Sequence, residues 1–191
     1  MKKFLSIIAS VFVLSLTGCQ STKSDSAVNP TLNNYHVIKL AVLAVENPDI
    51  EDIVATTLQN NGVKATAVRN LLTFSKDEKD FFDQIVKSGY SDILVIKSSV
   101  GTRQVSVTGY NTNVNTYETH NSTDSYATTT PITSSTNNAL AIATILNMEG
   151  VKVWQSKIDL SAGGHLYTDT DSMIEGLSSA LIEELQNSSL L

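Results

Sequence analysis

The side chains that could do chemistry are one thiol, Cys19, three imidazoles, His36, His120 and His165, and a few clustered carboxylates. A protein zinc site needs several thiolates or imidazoles at short, regular spacing. The three histidines lie far apart, none with a second His, Cys or carboxylate at a ligand spacing, so no metal is expected. One cysteine also excludes an internal disulfide. No G-x-S-x-G marks a nucleophile elbow. Ser161-Ala162-Gly163-Gly164-His165 holds a serine and a histidine but reads as the turn before the last helix, and its glycine pair lacks the Lys-Ser/Thr of a phosphate loop. Asp49, Glu51 and Asp52 share one helix turn and Asp169 and Asp171 another, where the positive end of a helix accounts for them. The expectation is a protein without catalytic residues or cofactor, a periplasmic hydrolase being the remaining enzymatic alternative.

The setting of Cys19 does point to chemistry. Lys2 and Lys3 precede an apolar stretch from Phe4 to Leu16 and then small residues, the layout of an export signal over residues 1–18. That stretch is shorter than the roughly 20 residues a lasting transmembrane helix needs. Leu16-Thr17-Gly18-Cys19 resembles the lipobox of bacterial lipoproteins, whose cysteine sulfur takes a diacylglyceryl group and becomes the mature N-terminus. The resemblance implies that Cys19 carries acyl chains, and at about 0.8 kcal/mol per buried methylene two or more chains hold a domain on a membrane. Gln20, where aspartate would retain the protein at the inner membrane under the enterobacterial sorting rule, implies the periplasmic face of the outer membrane. Residues 19–34, rich in Ser, Thr and Asn, read as a flexible lipidated tether with a reach of about 20 Å.

Charge narrows the partners. Thirteen basic residues, less Lys2 and Lys3, leave 11 against 19 acidic ones, a mature net charge of about −8. Nucleic acid, which selects basic faces, is excluded as a partner. The imbalance lies in residues 104–191, where Lys152 and Lys157 face nine acidic residues.

The elements that would carry these residues form one α/β domain over 35–191, with a mixed sheet of about five or six strands packed with three helices. Val37 to Val45 reads as a strand buried on both faces and central in the sheet. Asn47-Pro48-Asp49 opens a helix with Ile50, Ile53, Val54 and Leu58 on one side, and Asn61-Gly62 closes it. A short strand spans Val63 to Val68. Ser75 and Glu78 have capping-box spacing ahead of a helix with a stripe of Phe81, Phe82, Ile85 and Val86. Ile93 to Ile96 is a further strand. Ala139 to Leu146 and Val151 to Leu160 form a hairpin about Asn147-Met148-Glu149-Gly150. Trp154, in step with Ile158 and Leu160, is expected in the core rather than as a partner anchor. The last helix begins near Thr168 or Thr170 and buries Met173, Ile174, Leu177, Leu181 and Leu185.

Residues 104–138 depart from this pattern, with 21 Thr, Ser or Asn among 35, no Lys or Arg, and only Glu118 and Asp124 as charges. Val105 and Val107 lie on one parity and Tyr110 and Val114 on the other, as a β-bulge near Gly109 requires. A long strand is expected to leave the core and run into an irregular loop over 121–138. Three readings compete. The segment is a poorly packed polar insertion; or it is an exposed edge, marked by Tyr110, Val114 and Tyr117, that pairs with a partner or another copy; or it is a membrane-inserting hairpin, against which stand Asn111, Asn113, Asn115 and the threonines, which supply no apolar outward face.

With these elements placed, the chain resembles the small periplasmic α/β lipoproteins whose domain is similar to the N-terminal domain of the Tol-Pal translocation protein, with the penicillin-binding-protein activator lipoproteins and the curli secretion lipoprotein as relatives. The residues that carry the resemblance are Ile38 to Val45, Gly89-Tyr90-Ser91-Asp92 ahead of Ile93 to Ile96, and Ala141 to Gln155 with its turn into Val153-Trp154. It implies a non-enzymatic binding or assembly module that touches an envelope protein or itself, the alternative being an oligomeric secretion or pore-associated lipoprotein.

Overall fold

A computed structural model describes residues 19–32, 34–119, 122–164 and 166–191. The expected signal peptide and His120 and His165 lie outside the described residues. The elements in chain order are β1 (Cys19–Val28), β2 (Leu40–Ala44), α1 (Pro48–Asn60), β3 (Ala65–Ala67), α2 (Arg69–Phe74), α3 (Glu78–Lys87), β4 (Asp92–Val100), β5 (Gln104–Thr119), β6 (Ser122–Asn147), β7 (Lys152–Gly164) and α4 (Thr170–Asn187). They form one mixed seven-stranded sheet in the order β1-β7-β6-β4-β2-β3, with β5 paired to β6 off that path. The α/β class expected from the sequence is the class observed.

β2, β3 and β4 are parallel and joined through helices. Every residue of β2 is buried, because helices cover both faces of the sheet there. β2 lies between β4 and the edge strand β3, one place from the margin rather than at the centre. On one face α1 and α4 bury Ile50, Val54 and Leu58 with Met173, Ile174, Leu177, Leu181 and Leu185, each large side chain contributing about 1.5–3 kcal/mol. On the other, α3 covers β2 and β4 through Phe81 and Ile85, together with Val68 just ahead of α2. Trp154, Ile158 and Leu160 are all core, as their common parity predicts. The β6–β7 hairpin turns where expected, with the Asn147 N–H donating to the Val151 carbonyl at 3.0 Å.

Four local expectations change. The cap of α3 is Asp77, whose carboxylate accepts from the Asp80 N–H at 2.8 Å, while the Ser75 hydroxyl donates back to the Leu71 carbonyl of α2, so no capping box forms. Ser161–Gly164 continue β7 instead of turning. Where an irregular loop is expected over 121–138, the described residues from Ser122 on are strand, part of the 26-residue β6. Residues 19–28, expected to be flexible, form the edge strand β1, antiparallel to β7 from Cys19↔Gly163 to Val28↔Trp154. A polar segment cannot order itself by apolar burial, but it can where an open edge satisfies its N–H and C=O groups and a helix accepts its side chains.

Candidate functional site: a projecting ribbon beside Cys19

β4 pairs with β6 only over residues 139–147 and β7 only over 135–146. Among the described residues, the remainder of β6, from Ser122 to Ser134, pairs with β5 alone, so the two strands leave the sheet as a ribbon of their own. At about 3.3 Å per residue, the stretch from Val105 to Thr119 is about 50 Å long. Beyond its root no described residue pairs with the outer backbone edge of the ribbon on either side, along β5 or along β6. Pro131, which has no N–H to donate, sits in this portion of β6.

The root is tied by buried polar groups. The Ser135 hydroxyl donates to the Gly164 carbonyl at 2.7 Å, so Thr168 Oγ1 donates to it at 2.8 Å, as does Arg103 Nη2 at 3.0 Å. Asn137 Nδ2 reaches the Thr168 carbonyl at 3.0 Å, and its Oδ1 accepts from the Asn138 N–H at 2.8 Å. Sequence reasoning missed this cluster, although Ser135 and Asn137 share the parity of buried Ala139, Ala141, Ala143 and Ile145. Gly101 is needed at the crossing from β4 to β5, since a Cβ there would lie 2.9 Å from the Asn138 carbonyl oxygen.

The bulge expected near Gly109 is present as a register shift between Val107 and Gly109. Paired residues share a face in an antiparallel ladder, and the shift brings both parities of the sequence pattern to one side. Val105, Val107, Tyr110 and Val114 of β5 therefore share a face with Thr133, Pro131, Thr129 and Ala127 of β6. The same four β5 residues are 60%, 53%, 69% and 63% exposed, although this side of the sheet is covered by α4 further along β6. Asn111, Asn113 and Asn115 lie on the opposite face. They share that face with Ile132 and Tyr126, while Thr112, Thr116, Thr129 and Thr133 stand among the valines and Tyr110. Tyr117, grouped with Tyr110 and Val114 in the sequence reading, sits on the asparagine face, where its ring stacks on Tyr126 at 5.7 Å and the two hydroxyls are 3.1 Å apart. That hydrogen bond, more than desolvation, raises the Tyr117 pKa above its ordinary value.

β1 holds Cys19 close to the root. Gln20 Nε2 donates to the carbonyls of Ser172, at 3.2 Å, and Tyr167, at 3.4 Å, and the Ser24 hydroxyl donates to the Glu184 carboxylate at 2.5 Å. Hydrogen bonds from Ser24 and Ser26 hold the Glu184 carboxyl below its usual range. Gly176 makes room for this contact, since a Cβ would lie 2.8 Å from both Gln20 Oε1 and Leu160 Cδ2. Through successive pairings, Cys19 is in line with Gly163, Thr136 and Gln104. Three strand spacings thus separate it from the start of the ribbon, about 14 Å.

The buried carboxylates are occupied structurally. Glu51 accepts from the backbone N–H groups of Ala44, at 2.9 Å, and Arg69, at 2.8 Å, joining β2 to the start of α2. Asp92 accepts from the Tyr35 and Ser91 hydroxyls, each at 2.6 Å. Among the described residues no group of three or more His, Cys, Asp or Glu side chains could hold a metal ion, and no helix is long and apolar enough to cross a membrane.

No family model and no curated protein matches the sequence. Among solved structures, the chain is similar to the PelC dodecamer from Paraburkholderia phytofirmans, with 15% identity over 87% of this chain and 98% of that one and a TM-score of 0.49. A variant of the same protein gives a TM-score of 0.48 with 15% identity, covering 87% of this chain and 99% of that one. A PDZ domain protein from Parabacteroides distasonis gives a TM-score of 0.35 with 9% identity, over 95% of this chain and 39% of the other.

Proposed function

We propose that this protein is an assembly module of the bacterial envelope, lipidated at Cys19, held on the periplasmic face of the outer membrane, and acting by protein contact rather than by catalysis. Its place among the small α/β lipoproteins similar to the N-terminal domain of the Tol-Pal translocation protein is part of the same proposal. The observation that carries it is the ribbon with two open edges. Soluble proteins blunt exposed edges with lysines, prolines and short strands. This ribbon has no Lys or Arg over 104–138 and one proline. The outer edge of β5 in one copy can pair with the outer edge of β6 in the next, a head-to-tail contact that closes into a ring or extends as a filament.

The test is in-cell photo-crosslinking from position 113 of the full chain, combined with membrane fractionation of Cys19→Ser. Self-crosslinked ladders, with release of C19S from the membrane, are the expected result. A single dominant product with a different envelope protein would overturn self-assembly, and uncleaved C19S remaining in the membrane would overturn the lipid anchor.

A further inference from the structure

We infer that β1 is a releasable strap, which lifts off β7 as one unit while the rest of the sheet stays folded, and so gives the domain two positions relative to Cys19. The strap stands on its own contacts and rests on the proposed anchor only for the lipid that Cys19 would carry. Its first support is how β1 is held. All ten of its residues are exposed, its aliphatic side chains are Ala27 and Val28 alone, and none of its residues belongs to either cluster of buried apolar side chains. β1 ends the sheet, so one backbone edge pairs with β7 and no described strand pairs with the other. Beyond this ladder, Gln20 reaches the Ser172 and Tyr167 carbonyls, and the Ser24 and Ser26 hydroxyls reach the Glu184 carboxylate. Ser156, the register partner of Ser26, has a buried hydroxyl without a hydrogen-bond partner and adds no hold. A segment kept in place by solvent-exposed hydrogen bonds and little apolar contact opens at a lower free energy than the core beside it.

The second support is where the opening stops. Directly after β1, the Asn29 N–H donates to the Val153 carbonyl and its Nδ2 to the Lys152 carbonyl, both at 2.8 Å. Asn29 Oδ1 accepts from the Thr31 N–H at 3.0 Å and from the Thr31 hydroxyl at 2.8 Å, which fixes the turn that follows. Leu32 then packs against the core, the Tyr35 hydroxyl donates to the buried Asp92 carboxylate at 2.6 Å, and the Val37 N–H donates to the Leu190 carbonyl at 2.9 Å. From Asn29 onward the chain is tied to the body by side chains as well as backbone, so Asn29 is the hinge.

The direction of the strand gives the opening its effect. β1 runs from Cys19, in line with the root of the ribbon, to Val28 at the other end of the sheet. Closed, it fixes Cys19 at the root, with Gln20 seated over Gly176. Open, residues 19–28 become a leash that starts at Asn29, with a root-mean-square reach of about 17 Å and a full stretch of about 35 Å. The body is then free to tilt away from whatever Cys19 is fixed to, and the outer edge of β7 from Trp154 to Gly163 is uncovered.

The test is residue-level hydrogen exchange on the full chain purified from the envelope in detergent, with and without the cross-strand pair S21C/S161C, which joins exposed register partners. The β1 amides that bond to β7 are expected to exchange about tenfold or more faster than those of β6 over 139–146, all at one common rate, while Asn29 and Val37 stay with the slow set. Oxidising the cysteine pair should slow the β1 amides to the rate of that set, and reducing it should restore them. D25C/K157C, the register pair two rungs along on each strand, serves where the first pair does not close. Exchange of β1 at the β6 rate overturns the inference, because β1 then opens only with the whole sheet. Rates graded from Gln20 to Val28 overturn it as fraying, exchange of Asn29 and Val37 together with β1 removes the hinge, and no protection in β1 removes the closed position. Mass measurement of the Cys19 peptide reads the anchor separately. Common-rate opening with unmodified Cys19 keeps the strap and refutes the anchor, whereas acylated Cys19 without such opening does the reverse.

Discussion

Asp169 illustrates how a charge that resembles a catalytic candidate serves structure. Its carboxylate accepts from the Ser172 N–H at 2.9 Å and the Ser172 hydroxyl at 2.8 Å, capping α4, and these bonds lower its pKa from the ordinary 3.8. A pKa lower in the folded than in the unfolded chain contributes stability above the unfolded value, and the contribution is lost as pH falls through the folded one. Asp169→Asn removes the titrating charge. Its denaturant midpoint should therefore fall less steeply than that of the wild type between neutral pH and about pH 3, and identical acid limbs would show that the cap does not couple to folding. That Asp169 stands at the start of a helix was legible in the sequence, because acids there have a local cause, whereas its capping bonds to Ser172 were not. The Ser135, Asn137, Thr168 and Arg103 cluster was not, since it joins residues more than thirty positions apart whose types are unremarkable.

Among the elements, β1 most changes the picture of the molecule. Composition marks its Ser and Thr residues as too polar to bury, and they are indeed exposed. What orders them is the edge of β7 and the groove of α4 over Gly176, neither visible locally. Gly176→Val should push Gln20 off the helix and crowd Leu160, lowering stability by about 1–3 kcal/mol. Limited proteolysis should then cut within residues 19–28 faster than in the wild type. Unchanged cleavage with unchanged stability would mean that β1 does not depend on this contact. The ribbon shows the complementary case. The bulge could be read from the parity switch between Val107 and Tyr110, but the irregular loop expected after it is a strand, because Thr-rich residues suit a pleated surface and β5 supplies their hydrogen bonds.

At the scale of the whole molecule, body and ribbon have separate sources of stability. The large fully buried side chains, Trp154 among them, lie in the body, whereas β5 residues 105, 107, 110, 114 and 117 are exposed. Replacing residues 106–134 by an Asn-Gly turn that joins Val105 to Ser135 should leave the body folded. Trp154 fluorescence and far-ultraviolet circular dichroism should then give one coincident unfolding transition near the wild-type midpoint. Two separated transitions, or loss of the Trp154 signal, would show the ribbon to be part of the cooperative unit. The same variant should sediment as a monomer at concentrations where the wild type self-associates, if the open edges carry assembly.

The sequence by itself determined the α/β class, the helix start at Pro48 and stop at Gly62, the acids at the start of α4, the β6–β7 turn and the place of Trp154 in the core. These follow from hydrophobic periodicity and turn chemistry, which act over a few residues. Tertiary structure alone decided that residues 19–28 are a strand, that β6 runs on beside β5 through Ser122 to Ser134, and that Cys19 stands in line with the root of the ribbon. Each of these depends on register between strands far apart in the chain, and register is set by which backbone groups meet, a quantity that no single stretch of side chains encodes.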